Sequence, residues 1–188
     1  MSDLTELLQH WHTGDNAVRG ELLGRVYSEL RAIAARHLSG ERAGALVQPT
    51  ALVNEAYLKL SGLDRMQWQS RSHFLAMAAR MMREYLVDEA RRRVASKRDG
   101  GVQVTLQDVD AREDSPRTDM LALNEALERL AKADPDRALL VELRFFGGLT
   151  VDETAEVLGR SPATVKRHWQ VARAWLFREM ASGADNDG

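Results

Sequence analysis

One stretch near the C-terminus constrains the fold of this chain more than any other, because it combines the signals of two helices joined by a tight turn. Thr150 and Glu153 fit a capping box, Thr-x-x-Glu, at the start of the first helix. Gly159 supplies the turn, after which Ser161 and Pro162 provide an N-cap and a proline at the first helical position. The pattern predicts a helix-turn-helix.

The second of these helices is strongly basic. Residues 159–178 contain five Lys or Arg and no Asp or Glu, while the spacing of Val165 and Trp169 predicts that these two face the core. A helix-turn-helix with a basic second helix is suited to the major groove of DNA. An ordinary helical hairpin with solvated charges is the alternative, but the coincidence of cap, turn and basic helix favours DNA binding.

The charge of the chain is distributed in blocks. Its formal net charge is −2, yet residues 80–98 hold seven Lys or Arg against three acids, and residues 99–128 hold eight acids against two Arg. Residues 80–98 and 159–178 are therefore two basic blocks on either side of an acidic one. This distribution suits a nucleic-acid-binding protein better than the net charge of −2 suggests. No stretch approaches the roughly 18 apolar residues of a membrane span, and the N-terminus lacks a signal segment. We expect a cytoplasmic protein that does not bind membranes.

The residue types needed for most enzymatic and metal chemistry are missing or scattered. The chain has no cysteine, which excludes disulfides, cysteine-ligated zinc and thiol redox sensing. It has no Gly-rich phosphate loop, no metal-spaced set of His, Asp or Glu, and no nucleophile elbow. We therefore predict that the protein is not an enzyme, binds no metal and needs no cofactor.

Apolar residues recur at helical spacing along almost the whole chain, so the sequence predicts an all-α fold. Each proline stands where a helix should begin, which predicts helix starts at Pro49, Pro116, Pro135 and Pro162. Residues 96–115 are the exception, with a Gly pair, scattered β-branched residues and many acids. We interpret them as an extended acidic linker in which Val102, Val104 and Leu106 can dock on a neighbour. The predicted organisation is two small helical domains, 1–95 and 116–182, joined by the linker 96–115 and followed by a disordered tail, 183–188.

A second group of motifs lies in residues 48–93. QPTALVNEAYLKL reads as an amphipathic helix with few charges, and SRSHFLAMAARMMREYLVDEARRR as a long helix that ends in a basic cluster. Cations are favourable at a helix C-terminus, which is the plain interpretation of that cluster. Together with Lys97 and Arg98, however, the cluster contains more basic residues than capping needs, and these residues suit contacts with phosphates.

In this order the motifs resemble the extracytoplasmic-function (ECF) sigma factors, the minimal two-domain class of bacterial RNA polymerase specificity subunit. LVNEAYLKL is similar to that family's polymerase-binding helix, and SHFLAMAARMMREYLVDEARRR is similar to its promoter-melting helix. The helix-turn-helix is similar to the domain that binds the upstream promoter element. QPTALVNEAYLKL looks particularly like a branch in which signalling through Ser/Thr protein kinases has been proposed.

The resemblance implies an alternative sigma factor whose partners are core RNA polymerase, through its β′ clamp coiled coil and β flap, and promoter DNA. The implied polymerase-binding residues are Leu52, Val53, Asn54, Glu55 and Leu58. The implied residues for recognising and melting the −10 element are Arg65, Gln67, Trp68, Gln69, Arg71, His73, Arg80, Arg83, Arg91, Arg92 and Arg93. The implied residues for the −35 element are Arg160, Ser161, Thr164, Lys166, Arg167 and His168. A core position for Trp68 and a structural role for His73 are alternative interpretations.

The start of the predicted polymerase-binding helix departs from the family pattern, because Gln48-Pro49-Thr50-Ala51 stand where acids are usual. A phosphate on Thr50 would add about −1.5 to −2 charge at a helix N-terminus, where an anion is favoured. Thr50 is therefore a candidate phosphorylation site, with a plain helix-start role as the alternative. A Ser/Thr kinase and an anti-sigma factor are candidate partners.

Two other classes of function compete with this one. A helix-turn-helix repressor or activator that is not a polymerase subunit would need a dimerisation or ligand pocket, for which the sequence offers no clear candidate. A helical signalling adaptor that binds no DNA is disfavoured by the basic recognition helix. We also expect the acidic linker to attract both basic blocks, which would give a compact, weakly held free state that polymerase opens.

Overall fold

The computed structural model describes residues 71–96, 102–105 and 117–184, together with Glu6, His10, Ala17, Gly20, Glu21, Leu22, Gly24, Arg25, Ser28, Ala32 and Asn54 of the N-terminal part. These residues form α-helices, one π-helical segment and one pair of three-residue strands. The predicted all-α class is therefore confirmed. Among the described helices, none combines the length and apolar character that a membrane crossing requires.

The first long helix, α1, runs over Arg71–Ala95. Apolar side chains recur every three or four residues along it, which gives the helix a face that can be removed from water. Its buried apolar residues are Phe74, Leu75, Ala78, Ala79, Met82, Leu86, Val87 and Ala90. Arg92 and Arg93 lie in its last turn, where the helix dipole favours positive charge.

A short antiparallel pair of strands follows α1. Strand β1 covers Gln103–Thr105, strand β2 covers Arg117–Asp119, and both belong to a two-stranded sheet. Val102 and Val104 are 0% and 1% exposed, so the expectation that they dock on a neighbour is confirmed. Leu106, which carries the same expectation, lies outside the described residues.

The helix start predicted at Pro116 is wrong. The residues that follow it form strand β2, and helix α2, Met120–Ala133, begins only after Asp119. The Asp119 carboxylate accepts hydrogen bonds from the backbone N–H groups of Leu121 and Ala122, both at 3.0 Å. This side-chain cap and the pairing of β2 with β1 outweigh the preference of proline for the first helical position.

One residue connects α2 to the next helix, α3, which covers Pro135–Val141. Asp134 ends α2, and its carboxylate accepts a hydrogen bond from the Arg137 backbone N–H at 3.0 Å, which caps α3. Pro135 occupies the start of α3, as the sequence predicts. The chain continues into a π-helical segment, Glu142–Phe146, whose last four residues are buried.

Two further helices complete the described chain. Helix α4 covers Val151–Leu158 and helix α5 covers Pro162–Ala184, with the turn at Gly159 between them. The predicted helix-turn-helix is thus present. Helix α5 extends two residues into the segment for which the sequence predicts a disordered tail.

Helix α1 packs directly on the C-terminal helices. It contacts the π-helical segment, α2 and α4, while α2, α3 and α4 in turn pack on α5. Its buried face belongs to the same hydrophobic core as Leu127, Phe146 and Trp169. Because the core is continuous across the described residues, the division of the chain into two domains remains a prediction.

Candidate nucleic-acid interface

The first helix of the helix-turn-helix is fixed at its start by reciprocal side-chain caps. The Thr150 hydroxyl accepts a hydrogen bond from the Glu153 backbone N–H at 3.2 Å, and the Glu153 carboxylate accepts one from the Thr150 N–H at 2.8 Å. This is the predicted capping box. It satisfies two N–H groups that the first turn of a helix leaves without intrahelical partners.

The turn between the two helices depends on the left-handed backbone of Gly159, which has φ 60° and ψ 38°. The following N–H, of Arg160, donates to the carbonyl oxygen of Ala155 at 3.0 Å, the six-to-one bond of a Schellman motif. Only glycine adopts this conformation without steric cost. The turn therefore sets the direction in which helix α5 leaves α4.

Helix α5 begins with the predicted serine cap. The Ser161 hydroxyl accepts a hydrogen bond from the Thr164 backbone N–H at 3.2 Å and lies 2.9 Å from the Thr164 hydroxyl. Ser161 is exposed and Thr164 is half-buried. Both hydroxyls therefore lie at the N-terminus of α5, which their hydrogen bonds also stabilise.

The recognition helix α5 separates its apolar and basic residues. Val165 and Trp169 are 0% and 2% exposed, which confirms their predicted core positions. Lys166 and Arg167 lie between them in sequence and are exposed, and His168 is half-buried. Because residues one or two positions apart point in different directions on a helix, the core residues anchor α5 and turn its basic side chains to solvent.

A buried arginine supports the recognition helix from behind. The Arg144 side chain is 1% exposed, and its guanidinium carbon lies 5.2 Å from the centroid of the Trp169 ring. Its Nη1 donates a hydrogen bond to the carbonyl oxygen of Leu149 at 3.2 Å. Arg144 therefore connects the loop before α4 to the core face of α5, and we identify it as a positioning residue.

Arg160, which the sequence predicts to contact the −35 element, has an ionic partner on α3. Arg160 Nη2 lies 3.1 Å from Asp136 Oδ2, and the two side chains are 53% and 75% exposed. An ion pair between side chains as exposed as these contributes little to stability, so the arginine can readily exchange its carboxylate partner for another anion. A DNA phosphate can therefore compete for Arg160.

Helix α1 carries the second basic group. Arg80, Arg91 and Arg92 are exposed, although Arg91 pairs with Asp88 at 3.9 Å and Arg92 with Glu89 at 3.3 Å. Arg93 is 8% exposed and also pairs with Glu89, at 3.5 Å. Of the predicted cluster at the end of α1, Arg91 and Arg92 are thus the accessible members. His73, near the start of α1, is half-buried.

A groove of about 650 Å³ runs between α1 and the helices α2 and α3. Three of the arginines predicted to follow the melted strand line it, namely Arg80, Arg83 and Arg91. The groove also contains carboxylates from both sides, which are Glu84 and Asp88 of α1, Glu128 of α2 and Glu142 of the π-helical segment. Its charge is mixed, so this arrangement does not present a purely basic surface.

A family model described as ECF sigma factor matches residues 1–182. The chain belongs to the ECF sigma factor family. A comparison with curated proteins finds no match. As a member of this family, the protein is an alternative sigma factor, which binds core RNA polymerase and promoter DNA and directs transcription initiation.

Several predicted site residues of this sigma factor lie outside the described residues. These are Thr50, Leu52, Val53, Glu55, Leu58, Arg65, Gln67, Trp68 and Gln69. Arg71 is the first residue of α1, but its side chain is not described, and Asn54 is helical and exposed. Their roles therefore remain predictions.

Sequence reasoning missed the role of Arg144. A signal was present, because a single arginine stands within the otherwise apolar run Leu143 to Phe146. A charge in such a position is seldom buried unless it is paired or hydrogen-bonded. The run therefore indicates a buried, partnered arginine, although it does not identify the partner.

Proposed function

We propose that this sigma factor reads the −35 element with the turn and the first two turns of α5. The residues in this role are Arg160, Ser161, Thr164, Lys166, Arg167 and His168. The observation that carries the proposal is the outward orientation of Lys166 and Arg167 while Val165 and Trp169 hold the opposite face in the core. A helix presented in this way reaches base edges and flanking phosphates in the major groove.

In this proposal helix α1 follows the melted −10 element. The exposed guanidinium groups of Arg80, Arg91 and Arg92 support it, because arginine pairs well with phosphate oxygens. The flipped-base pocket would come from the loop before α1, with Trp68 as a stacking residue. Residues 1–95 would then form the polymerase-binding and −10 domain, 116–182 the −35 domain, and 96–115 the linker.

The helix that begins near Pro49 would dock on the β′ clamp coiled coil, with Asn54 among its contacts. Asn54 is helical and exposed, which supports this role. We propose that phosphorylation of Thr50 by a Ser/Thr kinase of the linked branch supplies the negative charge that this helix lacks. An anti-sigma factor is the alternative regulator, and the cytoplasm is the expected location because the polymerase works there.

The decisive experiment is run-off transcription with purified core polymerase, with the transcripts sequenced from their 5′ ends. A sigma factor gives defined starts that are absent from core polymerase alone. A helix-turn-helix regulator gives no starts with core polymerase and changes transcription only when another sigma factor is present. The absence of specific starts on any genomic template, with kinase-treated protein as well as with unmodified protein, would contradict the proposal.

The −35 assignment is tested by Lys166→Ala and Arg167→Ala. Each is expected to weaken binding to the promoter found in the run-off experiment by about 1–3 kcal/mol if its side chain reads a base. Lys132→Ala, which removes an exposed lysine from α2, is the matched control. If both α5 variants kept the promoter affinity and salt dependence of the unaltered protein, this helix would not be part of the DNA interface.

The Thr50 proposal is tested by measuring core polymerase binding with unmodified and kinase-treated protein. We expect weak binding without phosphate, no rescue in Thr50→Ala, and partial rescue in Thr50→Glu. Thr13→Ala serves as a control threonine outside the motif. Tight binding and full transcription by unphosphorylated Thr50→Ala protein would show that the helix needs no added charge.

A further inference from the structure

An ion pair joins the turn of the helix-turn-helix to the start of helix α3. Arg160 Nη2 lies 3.1 Å from Asp136 Oδ2. The backbone on both sides of this pair is fixed, because the Arg160 N–H is bonded to the Ala155 carbonyl oxygen at 3.0 Å and α3 packs on α5. The pair therefore places the Arg160 guanidinium beside the recognition helix.

The Asp136 carboxylate is not the cap of α3. That role belongs to Asp134, which accepts a hydrogen bond from the Arg137 backbone N–H at 3.0 Å and pairs with the Arg137 guanidinium at 3.2 Å. The Asp136 side chain is 75% exposed, so its replacement is expected to have little effect on folding. The contact with Arg160 is therefore the feature that a substitution of Asp136 would change.

Asp136 lies among residues that we propose to read the −35 element. A depression of about 90 Å³ has Asp136, Arg160, Thr164 and His168 among its lining residues. DNA that reached Thr164 and His168 would come close to the Asp136 carboxylate, whose negative charge repels phosphate groups. A negative charge thus stands at the edge of the basic surface formed by the turn and the start of α5.

The ion pair affects contacts with bases and with phosphates differently. It uses one terminal nitrogen of Arg160, whose guanidinium carries five N–H donors in a rigid planar fork. A neutral base edge can accept from the remaining donors while Asp136 keeps its partner. A phosphate, by contrast, meets an arginine whose charge is already neutralised, and it is repelled by the carboxylate itself. The pair therefore disfavours contacts that carry no sequence information.

We propose that Asp136 is a positioning residue, which raises the sequence specificity of the −35 contact by acting through Arg160. It orients the guanidinium for a base edge and weakens the attraction of this group for phosphates. The inference rests on the proposed function of the turn and α5. It goes beyond that function, because it assigns specificity to an acidic residue of α3, outside the helix-turn-helix.

Three changes separate the orientation of Arg160 from its charge. Asp136→Asn removes the carboxylate charge and leaves Arg160 in place. Arg160→Lys keeps the positive charge but replaces the planar fork with a compact ammonium group. Arg160→Ala, with and without Asp136→Asn, shows whether Asp136 acts through Arg160. Glu125→Gln, which removes an exposed negative charge from α2, is the matched control for net charge.

Binding is measured by fluorescence anisotropy with holoenzyme assembled from core polymerase and each full-length variant, unmodified or kinase-treated as run-off transcription requires. One duplex carries the promoter found in that experiment, and a second carries the same promoter with its −35 element scrambled. The ratio of the two dissociation constants gives the discrimination. Measurements at several salt concentrations give the salt slope, and circular dichroism verifies that each variant keeps its helical content.

We expect Asp136→Asn to lower the discrimination by roughly threefold to tenfold relative to Glu125→Gln, which is part of what one base contact supplies. Its salt slope on the scrambled duplex is expected to become steeper by about 0.9, the value for one added phosphate contact. Arg160→Lys is expected to lower the discrimination without steepening the slope. In the Arg160→Ala protein we expect Asp136→Asn to leave the discrimination unchanged, because repulsion of phosphates acts equally on both duplexes.

Two results would overturn the role of Asp136. One is an Asp136→Asn protein whose discrimination and salt slope equal those of Glu125→Gln. The other is an equal loss of discrimination when Arg160 is replaced by alanine, because Asp136 would then act without Arg160.

The proposed function and this inference fail in different ways. If Lys166→Ala and Arg167→Ala bind both duplexes as the unaltered protein does, α5 does not read the −35 element, and the inference is wrong with it. If those two variants weaken promoter binding while Asp136→Asn matches its control, only the role of Asp136 is wrong.

Discussion

Replacing Arg144 is expected to destabilise the helix-turn-helix, because this side chain supports the recognition helix α5 from its core side. The side chain is buried behind the recognition helix, between the Leu149 carbonyl oxygen and the Trp169 ring. Arg144→Ala removes both contacts and leaves empty volume in the core. Arg144→Met removes the same contacts but fills most of the volume with an apolar chain.

The magnitude follows from the two contacts. A hydrogen bond from a charged group contributes about 1.5–3 kcal/mol, and a desolvated cation–π contact contributes about 2 kcal/mol. We therefore expect Arg144→Ala to lower the free energy of unfolding by about 3–5 kcal/mol, because the cavity adds to the lost contacts while removal of the buried charge subtracts from them. For Arg144→Met we expect about 1–3 kcal/mol, since an apolar replacement also removes the cost of burying a charge.

Urea unfolding followed by circular dichroism measures this effect, and Arg129→Ala provides the control. Arg129 also forms an ion pair between helices, with Glu179 at 2.9 Å, but its side chain is 44% exposed. Its loss is expected to cost less than about 1 kcal/mol. The reasoning from burial would be refuted if Arg144→Ala lowered the free energy of unfolding no more than Arg129→Ala does. It would also be refuted if Arg144→Ala lowered it less than Arg144→Met does.

Three further perturbations test other parts of the structure. Thr150→Ala removes the hydroxyl half of the capping box and is expected to cost about 1 kcal/mol of stability in urea unfolding, whereas a cost near zero would mean that water replaces the cap. Gly159→Ala forces a Cβ into left-handed backbone and is expected to cost about 1–2 kcal/mol by the same measurement, with Gly183→Ala in the last turn of α5 as the control. Limited proteolysis is expected to cut first near Arg98 or Arg112 in the predicted linker and to leave two helical fragments; uniform resistance across 96–115 would contradict a loose connection.

The local features of the helix-turn-helix were predictable from the sequence because each depends on residues close together in the chain. The capping box spans Thr150 to Glu153, the turn depends on Gly159, and the second cap spans Ser161 to Thr164. Such short-range hydrogen bonds follow directly from residue type and spacing. The same locality explains why the core positions in α5 were predicted correctly.

Features that depend on distant residues were not predictable in the same way. The sequence pattern at Pro116 favours a helix, but pairing of β2 with β1 decides otherwise. The sequence predicts Arg83 only as one more basic residue of α1. Its partners, Asn124 and Glu142, lie 41 and 59 residues away, and nothing near Arg83 in the sequence indicates them. The sequence thus indicates which residues are available for a site, while the tertiary packing determines which of them are free to act.

The short pair of strands limits the reach of the chain between α1 and α2. While the pair is formed, the Met120 backbone N–H is bonded to the Val102 carbonyl oxygen at 2.8 Å, so the two helices are joined by the few residues from Ala95 to Val102, which span at most about 25 Å. Once the pair separates, the path from Ala95 to Met120 can extend to about 85 Å. In the proposed promoter complex, −35 and −10 elements centred about 25 base pairs apart would be separated by about 85 Å along B-DNA, a distance that the path from Ala95 to Met120 can reach only when the six paired residues separate.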